Sequence, residues 1–517
     1  MGFVSMSENR TKNAIRNITY GIILKLYQVL VPFFMRTAMI YFMGVQYLGL
    51  NSLFSSILQV LNMTELGVGV AMVYSMYEPI AKNNKKKICA LLNLYKTYYR
   101  VIGVIIAIIG ISITPFIPKL INGSVPNNIN IYILYILNLS STVLSYWLFA
   151  YKGSLLQAHQ RSDITSKVTL TTSTMQYIIQ LFVLWKFKNY YLYVIVMLIT
   201  QSLTNVFTAF VASKVYPEYS PSGSITKSEK NKINHKIKDL FTSKLGGVIL
   251  DSADTIVISA FLGLTTLAIY QNYFFIMSSI IAFIMVVFNS LTAGVGNSIL
   301  LETKEKNYED LLKLTFIICW ITGVCTCCFA VLYQPFMEIW VGKDLMLNTG
   351  VVYCLCVYFY TQGINRLLNM YKDAAGIWHQ DRMRPLVVAL TNLTLNLILV
   401  HFYGIYGVVL STVLATVIVG MPWLIHNLFT TLFDYKQLNG YLKILIFYST
   451  ISLLSVIVIV LISKIIQKIF YLNTIKLFFY GVVICLIIPN LMYYFIYKKR
   501  DELQYSKNII KNILKKF

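Results

Sequence analysis

The chain has 517 residues, 57% of them hydrophobic and only 12% charged, with a mean hydropathy of +0.66. Soluble globular proteins hold about a quarter charged residues, so an ordinary water-excluded core is ruled out and an all-α integral membrane protein is expected. The formal net charge of +24 would suggest nucleic acid in a soluble chain, but in a membrane chain its meaning depends on where the cations fall.

Apolar runs of about 20 residues, each long enough to cross the hydrocarbon layer, number fourteen in chain order. They centre on residues 18–42, 48–74, 101–118, 130–150, 168–186, 190–212, 241–262, 267–290, 314–333, 350–368, 386–402, 406–428, 444–466 and 475–497. The first is too long for a signal peptide and lacks a small-residue cleavage site, so it is read as a retained helix. Pro32, Pro422 and Pro489 lie inside runs and are candidates for kinks. The eight cysteines (Cys89, Cys319, Cys325, Cys327, Cys328, Cys354, Cys356, Cys485) fall mostly in apolar runs, as small buried hydrophobes do. Histidines lie elsewhere in sequence and no paired CxxC motif exists, so no metal is expected.

Lysine and arginine set the orientation. With the N-terminus inside, alternate loops on that side hold 34 of the 44 cations, the opposite side holds 7, and three lie within spans. Cytoplasmic loops are enriched in Lys and Arg, so both termini are expected in the cytoplasm. "AKNNKKK", "KSEKNKINHKIKD" and the basic tail are then topology signals that touch anionic lipid, and no nucleic-acid partner is expected.

The chain also repeats itself. "FMGVQYLGLN" (42–51) matches "FLGLTTLAIY" (261–270) at Phe, Gly and Leu, "ALLNL" from Ala90 matches "DLLKL" from Asp310, and Gly103 and Pro115 match Gly323 and Pro335. Each half would hold six crossings, an even number, so the halves would enter the membrane from the same side. The expected architecture is 14 transmembrane helices: two parallel six-helix bundles, residues 1–215 and 216–435, plus a C-terminal helix pair and basic tail, 436–517.

Candidate site residues are the polar groups inside spans. Lys25 and Arg36 lie about 20° apart on one helix face and about 16 Å apart in height, with Gln28 on the same stripe. Buried charge is costly, so such residues usually face protein or a wet cavity; snorkelling of Arg36 and an ion pair of Lys25 with Glu65 are the structural alternatives. Span 2 carries Asn51, Ser55, Asn62 and Glu65 within about 80°, which suits either a substrate stripe or a helix-helix seam. Asp251 and Asp254 share one face of span 7, where two carboxylates would bind a cation, share a proton or meet a partner such as Arg366. Span 10 adds Gln362, Asn365, Arg366 and Asn369 near its inner end, with snorkelling again the alternative.

No phosphate loop, nucleophile motif or zinc helix is present, so no enzyme and no bound cofactor is expected. The stretch Tyr41–Ile88, with its G-x-x-x-L-G-L-N turn, E-L-G-x-G segment and basic loop after "YEPIA", resembles the Wzx-type polysaccharide flippases of the multidrug, oligosaccharidyl-lipid and polysaccharide exporter superfamily. The resemblance implies a cytoplasmic-membrane transporter that flips a polyprenyl-pyrophosphate-linked oligosaccharide between leaflets for capsule or another surface polysaccharide, with other polysaccharide-assembly proteins as further partners. Such a carrier needs a cationic cavity. The substrate-binding candidates are therefore Lys25, Arg36, Arg366, Gln28, Asn51 and Asn62, and the candidates for Na+ or H+ coupling are Asp251, Asp254 and Glu65. Two other functions remain open at this point: a multidrug or metabolite antiporter of the same superfamily, and an integral-membrane polysaccharide polymerase or ligase.

Overall fold

The structure, a computed structural model, describes residues 2–123, 125–470, 473–505 and 507, so most of the basic tail lies outside the described residues. It contains helices α1 (Gly2–Phe42), α2 (Val45–Leu61), α3 (Val68–Ala81), α4 (Lys85–Ile113), α5 (Ile131–Trp147), α6 (Tyr151–Ala158), α7 (Ser162–Lys186) and α8 (Tyr190–Val215). These are followed by α9 (Lys227–Leu301), α10 (Lys304–Val341), α11 (Thr349–Ala374), α12 (Arg384–Tyr403), α13 (Ile405–Leu414), α14 (Met421–Thr431), α15 (Leu438–Phe470) and α16 (Thr474–Tyr497). The protein is an all-helical, multi-pass membrane protein. Asparagine and threonine start many of the helices: Asn84, Asn130, Asn189, Thr303, Asn348 and Asn473 each accept a hydrogen bond from a backbone N–H of the first turn.

Among the described residues nine helices are long and apolar enough to cross a membrane, and eleven if each of two bent pairs is one span. The pairs are α2–α3, bent by 40°, and α5–α6, bent by 52°. The expectation of fourteen is met only in part, for physical reasons. Helices α7 and α11 carry too many Thr, Ser, Gln and Asn side chains to qualify by composition. Helix α9 covers two of the expected runs, and its 75 residues would extend about 110 Å if straight. It is not straight: Gly263, at φ 84° and ψ 172°, interrupts the helical backbone.

That interruption is braced from the loop after α4. The Asn122 N–H donates to Ser259 O at 2.9 Å, its side-chain amide donates to Phe261 O at 2.5 Å, and Ser259 Oγ donates to Leu120 O at 2.7 Å. Carbonyls left open where a helix stops are thereby satisfied. Gly44, which opens α2, has nearly the same backbone, φ 105° and ψ 162°, and stands 219 residues earlier. The matched glycines of the two stretches thus share a backbone conformation.

By contacts the chain divides into two units, Met1–Ala268 and Ile269–Phe517. The division falls inside α9, whose first segment packs on unit 1. A Cβ added at Gly67 would meet Leu240, and one at Gly49 would meet Leu264 O. Asp251 and Asp254 accordingly sit in unit 1. In unit 1, α1 packs mainly on α7, and α4 and α8 flank α5. In unit 2, α10 is the central helix and packs on α11, α15 and α16. Its Phe316 and Trp320 lie against Tyr448 of α15 and Tyr493 and Tyr497 of α16, with centroids 5.2 to 6.2 Å apart. Proline acts where expected in one case: a π-helical stretch, Ala415–Gly420, lets the chain reach Pro422 without the missing N–H breaking the helix.

Candidate functional site: a carboxylate at a broken helix

Between α2 and α3 the helix tightens to a 3-10 turn, Asn62–Glu65, and then breaks at Gly67, whose φ of 88° and ψ of −21° are left-handed. The break falls in the middle of the second apolar run. Irregular backbone at membrane depth is tolerated only where protein or a wet cavity covers it, which makes this break a candidate site.

Glu65 stands in the break. Tyr99 of α4 donates its hydroxyl to Glu65 Oε1 at 2.5 Å, and Tyr95, one turn earlier, contacts the Tyr99 hydroxyl at 2.6 Å. Because Tyr99 uses its only hydrogen on Glu65, Tyr95 must be the donor of that pair. From α5, the Tyr146 hydroxyl lies 3.0 Å from Glu65 Oε2 and 3.1 Å from Asn62 Oδ1. The rings are packed as well, Tyr95 and Tyr99 with centroids 4.4 Å apart and Tyr99 and Tyr146 at 5.5 Å. Gly69 makes room: a Cβ there would stand 3.0 Å from the Tyr95 hydroxyl and 3.5 Å from Glu65 Oε1. Tyr99 on Oε1 and Tyr146 beside Oε2 hold the carboxyl group in one geometry, the single Tyr146 hydrogen being shared between Glu65 Oε2 and Asn62 Oδ1.

The structure brings some expected residues together and not others. Asn62 and Glu65 join through Tyr146. Asn51 is half-buried on α2, where its carbonyl accepts from Ser55 Oγ at 2.7 Å. Arg36 is half-buried on α1 and within electrostatic reach of Tyr193 on α8, whose ring stacks on Tyr190 at 5.8 Å. Lys25 is half-buried and Gln28 exposed on the same helix; among the described residues Lys25 makes no ion pair with Glu65. Asp254 is buried and Asp251 exposed on α9. Arg366 is half-buried on α11 in unit 2, and its Nε is buried without a hydrogen-bond partner among the described residues.

Unit 2 contributes a different feature. A groove of about 510 Å3 runs along α11 and α15, walled by Tyr353, Val456, Ile457 and Leu461, with Tyr360, Ser449 and Ser452 toward one end and Lys464 toward the other. It is mostly apolar.

Two buried acids were missed by reading spans alone. Asp163, fully buried at the first turn of α7, meets Arg16 Nε at 2.9 Å, Arg161 Nε at 3.0 Å and Lys167 Nζ at 3.5 Å. Asn17 ties α1 to the same turn, accepting from the Asp163 N–H at 2.9 Å and donating to Gln160 O at 3.0 Å. Asp381, 2% exposed just before α12, accepts two bonds from Arg384 at 2.7 and 2.8 Å and one from Asn427 at 3.3 Å, with Lys372 Nζ at 3.7 Å. Among the described residues no cluster of three or more His, Cys, Asp or Glu is placed to hold a metal.

Solved structures share this architecture. Over 93% of this chain and 99% of the other, it superposes on the lipid II flippase MurJ in an inward closed conformation, with a TM-score of 0.67 and 18% identity. The fold is that of the MurJ and MATE transporters. An inward-facing MATE multidrug transporter of the MOP superfamily gives a TM-score of 0.62 at 13% identity, covering 81% of this chain and 99% of its own. A Vibrio cholerae MATE transporter gives 0.53 at 15% identity, covering 81% of this chain and 96% of its own. No family model matches the chain, and no curated protein matches it.

Proposed function

We propose that this protein flips a polyprenyl-pyrophosphate-linked oligosaccharide from the inner to the outer leaflet of the cytoplasmic membrane by alternating access, with fourteen spans and both termini in the cytoplasm. The apolar groove of unit 2 carries this reading. A groove of about 510 Å3 takes a segment of prenyl chain and equally a drug-sized apolar ligand, so binding decides between the two transporter readings. The superposition on the lipid II flippase MurJ, over 93% of this chain, supports a lipid-linked cargo. In this reading the prenyl tail lies along α11 and α15 of unit 2; Lys25, Arg36, Gln28, Asn51 and Asn62 in unit 1 and Arg366 in unit 2 are, each within its own unit, the candidates to meet pyrophosphate and sugars. Cations and amides there replace the water that the headgroup loses, since unpaired charge and hydroxyls cannot enter hydrocarbon cheaply. Glu65, with Asp251 and Asp254, supplies Na+ or H+ coupling.

Native mass spectrometry of the full chain in detergent discriminates the two transporter readings. A polyprenyl-pyrophosphate oligosaccharide is expected to bind, and to bind more weakly after Ser452→Trp fills the groove. Retention of a lipophilic drug cation with no retention of the lipid-linked sugar would favour the antiporter instead.

A further inference from the structure

The lysine-rich end of unit 1 holds a cavity of about 480 Å3, lined by charged and aromatic side chains, which shares no lining residue with the Glu65 network. Its walls come from the end of α3, the start of α4 and the start of α9. Tyr74 and Tyr77 form the aromatic side, with ring centroids 6.2 Å apart at 70°, and both are unusually open for tyrosine, at 60% and 46% exposure. Lys236 lies 4.2 Å over the Tyr74 ring.

The charges in the cavity do not cancel. Glu229 is taken by Lys87 at 2.8 Å and by the Thr226 hydroxyl at 2.9 Å. Glu78 is taken by Lys82 at 2.7 Å. With both acids engaged, Lys232 and Lys236 have no carboxylate partner among the described residues, and both line the cavity. The walls are held in place before any ligand arrives: Tyr98 of α4 donates to Asn234 Oδ1 at 2.6 Å, and Asn93 donates to Gly223 O at 2.9 Å. Two ammonium groups without a carboxylate partner, beside the exposed Tyr74 and Tyr77 rings, are matched to a ligand that joins phosphate to a sugar ring. Ammonium groups take the phosphate oxygens, and tyrosine offers an apolar face with a hydroxyl at its tip.

We propose that this cavity is a loading site for a phosphate-bearing glycolipid headgroup, which receives the pyrophosphate and first sugar of the carrier at the inner leaflet before translocation. The proposal rests on the flippase reading and deepens it. It also places the site on surface lysines that the charge bias alone would leave as topology signals.

The test uses the full chain and inorganic pyrophosphate as probe, followed by titration calorimetry in nanodiscs. The native protein is expected to bind, and Lys232→Ala with Lys236→Ala to weaken binding by at least about tenfold, as loss of charge-assisted bonds implies. Both side chains are exposed, so melting should be unaffected; Lys232→Gln alone carries the same prediction at smaller size. Equal affinity in native and variant proteins overturns the site. Discs of phosphatidylglycerol and of phosphatidylcholine distinguish the source of the phosphate. Unchanged pyrophosphate affinity in both supports the glycolipid carrier, whereas displacement in phosphatidylglycerol alone assigns the cavity to bulk lipid and overturns the proposal. Lysine-dependent pyrophosphate binding in a protein that moves no lipid-linked sugar would leave the cavity as an anion site and remove the flippase reading. Transport without lysine-dependent binding would do the reverse.

Discussion

Glu65 is the residue on which unit 1 concentrates its hydroxyl groups. Replacing it by Gln keeps the shape and removes the charge, so the expected outcome is a transport rate at least about tenfold lower with little change in melting, the sign of a group that acts rather than packs. Tyr146→Phe removes one donor and should cost about 1 kcal/mol of stability, read from the denaturation midpoint. The two buried acids behave differently. Asp381→Asn leaves Arg384 buried beside a neutral amide and should destabilise by about 3 kcal/mol, as breaking a buried pair does. Asp163→Asn should cost less, about 1 to 2 kcal/mol, because Arg16, Arg161 and Lys167 are 26 to 45% exposed and solvent screens them. Equal losses at both positions in a thermal melt would contradict the argument from exposure. These acids had a sequence signal that counting spans passed over. Tyr151, Lys152, His159 and Gln160 recur as Tyr371, Lys372, His379 and Gln380, each 220 residues on, and each set ends within three residues of a buried Asp. The loops read as topology markers because their lysines were counted and their acids were not.

At the scale of elements, glycine marks the places where the chain departs from straight helices. Gly263 and Gly44 share a backbone, but only Gly263 is crowded, since a Cβ there would stand 2.8 Å from Asn122 O while one at Gly44 meets nothing within 4 Å. Gly263→Ala is therefore expected to lower the melting midpoint clearly more than Gly44→Ala, by about 1 kcal/mol or more beyond the shared cost of positive φ. Matching losses would mean that Asn122 does not brace the turn. The apolar runs were legible because about 20 hydrophobic residues in a row have few other uses. The break at Asn62–Gly67 was not, since hydropathy averages across it and the polar stripe of α2 looks continuous on a helical wheel. Its hydroxyl partners come from α4 and α5, 30 to 84 residues away, a distance at which no local pattern in one sequence speaks. The second half offers no counterpart: the positions 219 and 220 residues beyond Glu65 are Ile284 and Met285, within an unbroken helical stretch. Within the matched stretches the glycine turn recurs and the carboxylate does not.

For the molecule as a whole, an amphipathic lipid-linked sugar requires an apolar groove, which unit 2 holds, and cations and amides within spans, which each unit carries. Moving two anionic charges outward across a 100 mV inside-negative membrane would release about 4 to 5 kcal/mol, enough to bias transport without nucleotide. The most direct measurement is leaflet translocation by the full chain in proteoliposomes, using a labelled polyprenyl-pyrophosphate oligosaccharide and an imposed potential. The label should cross several-fold faster than in protein-free vesicles, faster still with the anion's exit side positive, and more slowly when Arg36 is replaced by Ala. A label distribution identical to that of empty vesicles under every potential would contradict the account.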